Sequence, residues 1–236
     1  MNGSIKLFKI FGILIKIHAT FFLLLLVAFT GTPRWIFLMF AVFFFVTMHE
    51  ICHSLVARRF GIEVREITLF PIGGVASMTG SPDKPVDELL ISLAGPLSNI
   101  AVIVLFFYPM RYLVGDEILF HRLSTASWPL TFAYAYWINL MLALFNMLPA
   151  FPMDGGRILR AILASWLGYL KATRIAVAFG HIFALAFAYF GIVDGNIMLV
   201  IIAIFVYTAA SGEGRAAEIK EILKNSGLHD ILRPGR

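Results

Sequence analysis

His49 and His53 stand four residues apart, with Glu50 directly after the first of them. On a helix, residues four apart share one face, one turn from each other. Two imidazoles so placed can hold one zinc ion. The carboxylate between them can then act as general base on water activated by the metal. The pattern His-Glu-x-x-His is short enough to occur by chance, and its plain alternative is a helix end whose histidines meet the membrane surface. The setting favours the metal. The pattern follows an apolar run over residues 35–48, and ionisable groups inside a membrane-length segment are costly enough to mark function.

The rest of the chain must position this pair inside a bilayer. The sequence is 60% hydrophobic and only 14% charged, against about 25% charged in soluble domains. The apolar residues come in long blocks, which is the composition of a polytopic membrane protein in a lipid bilayer. Basic residues flank these blocks instead of forming one patch, so no nucleic-acid partner is expected. A single cysteine, Cys52, excludes an internal disulfide and a Cys-rich zinc site. It is expected only to pack.

The expected fold class is an all-α polytopic membrane protein with six transmembrane helices and a small membrane-associated β-element between the second and third. The spans fall at about 10–29, 35–57, 89–108, 128–148, 172–191 and 196–210, within a domain of residues 1–211. Residues 212–236 then form a charged cytoplasmic tail, helical over 213–224. The first apolar run is read as a retained span, since no convincing small-residue cleavage site follows it. His18 near its start is either an interfacial histidine or a polar group facing a cavity. His181 in the fifth span reads as a packing or hydrogen-bonded residue.

Residues 62–70 are β-branched and partly alternating, Pro71-Ile72-Gly73-Gly74 is a turn signal, and residues 75–78 can return as a second strand. This element is either an interfacial hairpin with no catalytic role or a strand edge that holds an unwound substrate extended. The second reading makes Gly73 and Gly74 substrate contacts, with Asn139 of the fourth span as a further one. Gly95 and Ser98 in the third span read as small residues for close helix packing, and Asn99 as a buried polar group needing a partner. Residues 110–127 read as a mixed loop. Residues 149–156 hold two prolines and two glycines and read as irregular backbone, with a short helix over 157–167.

Six spans put both termini on one side. Of nineteen Lys and Arg residues, all but Arg34, Arg111 and Arg122 fall on that side, so the positive-inside rule makes it cytoplasmic. The second span then enters from outside, and His49 lies about 21 Å along it at 1.5 Å per residue, nearer the cytoplasmic face. The fourth span runs the same way, and Asp154 follows its inner end. Of fourteen acidic residues, only Glu50 and Asp154 lie in or directly against a span near the histidines. Asp154 is the expected third ligand; its plain alternative is a turn aspartate before Gly155-Gly156.

His49-Glu50-x-x-His53 with Phe151-Pro152-Met153-Asp154-Gly155 resembles the site-2 protease family of intramembrane zinc metalloproteases, peptidase family M50. Phe70-Pro71-Ile72-Gly73-Gly74, Ala94-Gly95-Pro96-Leu97-Ser98-Asn99 and Asn146-Met147-Leu148-Pro149 match in the family's order. The likeness covers about residues 18–160 and is strongest to the compact archaeal and bacterial branch that includes sporulation-factor processing proteases. It implies one zinc per chain on His49, His53 and Asp154, Glu50 as catalytic base, and Asn146 as a group that orients substrate or steadies the oxyanion. It implies cleavage of a membrane protein within or near its transmembrane segment, with a membrane-held transcription regulator or an anti-sigma-like factor as the kind of partner. Cys52 stands where the family usually has glycine. No PDZ or CBS domain is recognisable, so regulation through one is not expected within this chain.

Two other classes remain open to the sequence. A divalent-metal transporter needs ligands strung along a path through the bilayer, whereas these cluster at one depth. A non-catalytic relative that only binds membrane proteins would not need Glu50 beside both histidines.

Overall fold

The computed structural model describes residues 3–22, 31–71, 73–80, 82, 84–121 and 124–226. It divides into two compact units, Met1–Asp83 with Leu93–Phe145, and Lys84–Ser92 with Asn146–Arg236.

The first unit begins as a sheet. Strands β1 (Ser4–Ile10), β2 (Ile13–His18), β3 (Val64–Phe70) and β4 (Gly73–Met78) form a four-stranded sheet in that order. β1 and β2 make an antiparallel hairpin whose two-residue loop, Phe11-Gly12, has φ of 49° and 80°. Tight hairpin loops with two positive φ values match the right-handed twist of the strands they join, and glycine adopts that conformation without penalty. β3 and β4 are also antiparallel, but β2 and β3 are parallel, with Leu14 opposite Glu66 and Ile17 opposite Leu69. Ile13, Ile15, Ile67 and Leu69 are buried, and Lys16 pairs with Glu66. On the rim, Arg65 hydrogen-bonds Glu63 at 3.1 Å. That bond and the adjacent positive charge hold the Glu63 carboxyl below its ordinary range.

Helix α1 (Pro33–Arg59) connects the two parallel strands and packs on β3 and β4. Pro33 opens it with φ already set for a helix, and Arg58 and Arg59 close it with charges that suit the helix dipole. Arg58 also donates to the Phe11 carbonyl in the hairpin loop. The helices that follow are α2 (Pro85–Val114), α3 (Asp116–His121), α4 (Trp128–Asn146), α5 (Asp154–Leu167), α6 (Tyr169–Val193) and α7 (Ile197–Asn225). Leu119 of α3 packs with Val114, Ala133 and Tyr136, so the expected loop over 110–127 contains a helix anchored in the first unit's core. Trp137 Nε1 donates to the Leu119 carbonyl at 2.6 Å.

These elements correct the sequence reading at its start. A helix over 10–29 is not what forms, because residues 10 and 13–18 belong to strands and residues 23–30 lie outside the described residues. Within the apolar run, residues 13–16 alternate between fully and partly buried positions, a period of two. An all-α fold with six helices becomes a mostly helical membrane protein with a four-stranded sheet. Among the described residues five helices are long and apolar enough to cross a membrane: Pro33–Arg59, Pro85–Val114, Trp128–Asn146, Tyr169–Val193 and Ile197–Leu223. α7 runs unbroken from the expected sixth span into the residues read as a tail.

In the second unit α6 and α7 pack along small residues. Ala172, Ala176, Gly180 and Ala184 recur every four positions and are buried, as are Ala203, Ala210 and Ala217 of α7. Such stripes let apolar helices approach closely where lipid offers no hydrophobic drive. A Cβ on Gly180 would fall 2.5 Å from the Phe151 carbonyl oxygen and 2.9 Å from the Ala210 Cβ. Arg160 of α5, 7% exposed, donates through Nε and Nη2 to Glu88 Oε1, the first at 2.9 Å, and through Nη1 to Glu213 at 3.4 Å. Its guanidinium lies 4.8 Å over the rings of both Phe151 and Tyr169. Removing one partner of a buried ion pair strands the other. Arg160→Met should therefore cost about 3–5 kcal/mol, read as a lower thermal midpoint in detergent, and adding Glu88→Gln should recover most of the loss.

Candidate metal centre

The i, i+4 spacing on α1 brings His49 and His53 onto one buried face, at 4% and 6% exposure. Their rings stand at 83° with Nε2 atoms 3.0 Å apart. His49 Nδ1 lies 2.8 Å from Asn99 Oδ1. Asn99 Nδ2 donates to Asn139 Oδ1 at 2.6 Å, and Asn139 Nδ2 donates to the Asn99 carbonyl at 3.0 Å. Both asparagines are fully buried.

Two glycines shape the space around this pair. A Cβ on Gly95 would sit 2.3 Å from His53 Nε2 and 2.6 Å from His49 Nε2. The bare backbone there leaves the volume into which both nitrogens point. A Cβ on Gly74 of β4 would sit 2.6 Å from Glu50 Cγ. The outer strand of the sheet thus runs against the carboxylate. Gly73 has φ of +144° and nothing within 4 Å of an added Cβ.

In the second unit Asp154 is the first residue of α5, after Met153 as N-cap. The turn before it is closed by Ala150 N–H to the Leu148 carbonyl at 2.7 Å and Met153 N–H to the Ala150 carbonyl at 3.1 Å. Phe151, fully buried, donates its N–H to the Ala176 carbonyl at 3.3 Å. The expected irregular backbone over 149–156 is corrected: the helix starts at Asp154 and includes both glycines. They are needed because a Cβ on Gly155 would meet the Leu148 carbonyl oxygen at 2.2 Å, and one on Gly156 the Ala150 carbonyl carbon at 2.5 Å. Asn146 ends α4 and is partly buried.

His49 and His53 give the first unit two donors of the kind a metal needs, and Asp154 in the second unit carries a carboxylate of the same use. Neighbouring ligands of a tetrahedral zinc, each about 2.0–2.1 Å from the metal, lie about 3.3 Å apart. The 3.0 Å convergence of two buried imidazoles and the space beside Gly95 fit zinc on this N,N,O chemistry. Elsewhere, His181 bonds Ser211 Oγ at 3.0 Å and stacks on Tyr207, as a packing histidine should. His18 stacks on Phe70 and bonds Thr20 Oγ1 at 2.9 Å. Cys52 is a partly buried free thiol. The sequence reading undervalued Gly95 and Asn99. They too are four apart on one helix, the spacing that singled out the histidines.

Comparison with known proteins agrees with this geometry. The pattern of peptidase family M50 matches residues 37–188. The chain is 42% identical to zinc metalloprotease MJ0392 of Methanocaldococcus jannaschii, over 99% of this chain and 67% of that protein. It is 24% identical to stage IV sporulation protein FB of Bacillus subtilis, over 71% of this chain and 54% of that one. Among solved structures, the site-2 protease from Methanocaldococcus jannaschii superposes with a TM-score of 0.67 at 40% identity, covering 89% of this chain and 95% of that one.

Gly95→Ala should weaken zinc binding by at least the about 10- to 100-fold seen for outer-shell changes, because both imidazoles must move to admit the methyl group. Gly73→Ala is strained at its φ of +144° but its methyl group meets nothing within 4 Å, so it should cost stability and leave zinc affinity unchanged. Competition with a chromophoric chelator measures both.

Proposed function

Because the chain belongs to peptidase family M50 and is an intramembrane zinc metalloprotease of the site-2 protease kind, we propose that His49, His53 and Asp154 hold the zinc and that Glu50 is the general base. The observation that carries this division is local. Two buried imidazole nitrogens converge beside Gly95, and the carboxylate next in sequence to His49 meets the outer strand of the sheet at Gly74.

Zinc, when bound, polarises the scissile carbonyl and makes water nucleophilic near neutral pH. Glu50 takes a proton from the attacking water and passes it to the leaving amine. Asn146 donates through its amide to the oxygen on which negative charge develops. The substrate is a membrane protein, and a transmembrane helix hides its amides in its own hydrogen bonds. The segment to be cut must therefore unwind. Among the described residues β4 lies at the end of the sheet order, next to β3, so its outer edge is a template for an added strand. Gly74 brings one face of that strand against Glu50, which supports an extended substrate on the same strand lying near the base. A single-pass or hairpin protein, such as a membrane-held transcription regulator or an anti-sigma-like factor, is the substrate class that suits this arrangement.

The sheet also supports the orientation with both termini in the cytoplasm and the site toward that face. β2 and β3 pair directly, so the hairpin with Lys6, Lys9 and Lys16 stays on the side where α1 ends at Arg58 and Arg59. α1 begins at Pro33, about 40 Å away at 1.5 Å per residue. The cluster of basic residues at the other end of α1 supports a cytoplasmic placement of the hairpin. His49 lies ten residues before Arg59, about 15 Å from the inner end.

Metal content and cleavage of a transmembrane substrate, measured side by side, test the reading. Wild type should hold about one zinc per chain, Glu50→Gln should keep it and lose cleavage, and His49→Ala should lose both. Gly74→Ala should reduce cleavage with zinc retained, since the methyl group displaces Glu50. Cleavage by Glu50→Gln at the wild-type rate would remove Glu50 from the role of base.

A further inference from the structure

We propose that Asn99 and Asn139 form a directional amide relay that holds His49 in its Nδ1–H form and so leaves Nε2 unprotonated, as a metal ligand must be. The proposal rests on the reading of His49 as a zinc ligand and extends it to two residues that touch no zinc. It makes Asn139 a positioning residue in place of the substrate contact expected from the sequence.

The direction of the relay follows from one group that cannot change character. The backbone carbonyl of Asn99 only accepts hydrogen bonds, and it has a second lone pair beyond the one used by its own helix. Asn139 faces it at 3.0 Å, so the Asn139 amide must turn its NH2 that way. Its oxygen then faces the Asn99 side chain at 2.6 Å, and Asn99 must meet an acceptor with its own NH2. The Asn99 oxygen is left toward His49 Nδ1 at 2.8 Å, where it accepts. Ser98 Oγ, which donates to the Gly95 carbonyl at 2.6 Å, approaches the same oxygen at 3.5 Å. His49 Nδ1 must therefore carry the proton. A neutral imidazole has one N–H, so Nε2, the nitrogen beside Gly95 and 3.0 Å from His53 Nε2, carries no proton. Reversing either amide would bring like groups face to face in a fully buried pair.

The register of the two helices keeps the relay in place. Tyr136, three residues before Asn139, donates its hydroxyl to the carbonyl of Ile103, four residues after Asn99, at 2.8 Å. Two side chains of α4 thus grip two successive turns of α2. Ligating histidines are commonly oriented in this way through their second nitrogen, and loss of such a partner weakens metal binding about 10- to 100-fold. Here the orienting group is itself oriented, and the outermost contact is to main chain.

Zinc affinity of the full-length protein in detergent, by chelator competition, tests the relay together with the thermal midpoint of each metal-free variant. Asn99→Leu and Asn139→Leu should each bind zinc about 10- to 100-fold more weakly. Asn99→Asp combined with Asn139→Leu, which keeps an acceptor for His49 and removes the oxygen that would face the new carboxylate, should recover most of the affinity. A purely structural role predicts instead that affinity tracks the thermal midpoint and that this double variant gives no recovery. Wild-type affinity in a folded Asn99→Leu or Asn139→Leu overturns the relay. If these variants do not fold, side-chain nitrogen-15 spectra of metal-free wild type decide, with His49 assigned by its loss in His49→Ala. A protonated Nδ1 supports the relay and a protonated Nε2 overturns it. If wild type binds no zinc, the ligand reading fails, and the tautomer in the metal-free chain still judges the relay by itself.

Discussion

Everything in this chain that does chemistry depends on keeping a small polar space open among apolar helices. The His49 and His53 nitrogens converge within 3.0 Å, and the third side of that space is the main chain at Gly95. Packing in protein interiors is dense enough that an unguarded gap of this size fills with side chain. Here it stays open because one residue has none. The polar groups around it meet the other demand of a bilayer, that buried donors and acceptors find partners within the protein. Asn99 and Asn139 do so by bonding each other.

The second unit solves a related problem with charge. The turn that carries Asp154 begins with Phe151, whose ring supports the Arg160 guanidinium while its backbone is held by Ala176. Arg160 is in turn held by Glu88 and Glu213. The two glycines that open α5 would otherwise give the chain many conformations to lose. Bonds to α2, α6 and α7 from this one short stretch and the arginine behind it restrict those conformations without relying on regular structure within the turn.

The parts of the site that follow helix periodicity were legible from sequence. His49, Glu50 and His53 stand out by spacing, and Asp154 by being one of two acidic residues against a span near them. Gly95 was seen as a packing glycine because sequence shows only that a side chain is missing, not what occupies its place. Asn99 and Asn139 were each visible as polar residues in apolar runs, but their pairing is a contact between distant segments with no local signature. The N-terminal hairpin was missed for a different reason. Residues 10–29 are apolar over a membrane length, and that signal overrode the alternation at Ile13, Leu14, Ile15 and Lys16 and the Gly12 turn. Length and hydropathy decide that a segment is apolar; only the period decides which element it makes. The β-element after α1 was found because Pro71 and Gly73-Gly74 punctuate it.

The parallel pairing of β2 with β3 ties the order of synthesis to the order of folding. The β1–β2 hairpin leaves the ribosome before β3, which is made only after all of α1. Until then β2 offers an open edge, and a lone two-stranded hairpin is marginally stable in water. The sheet closes only if α1 has entered the bilayer in the direction that returns Val64 to the hairpin's side. An α1 inserted the other way round would leave two separate hairpins on opposite faces, each without its neighbour. The β2–β3 hydrogen bonds are therefore open only to a chain whose α1 returns Val64 to the hairpin's side.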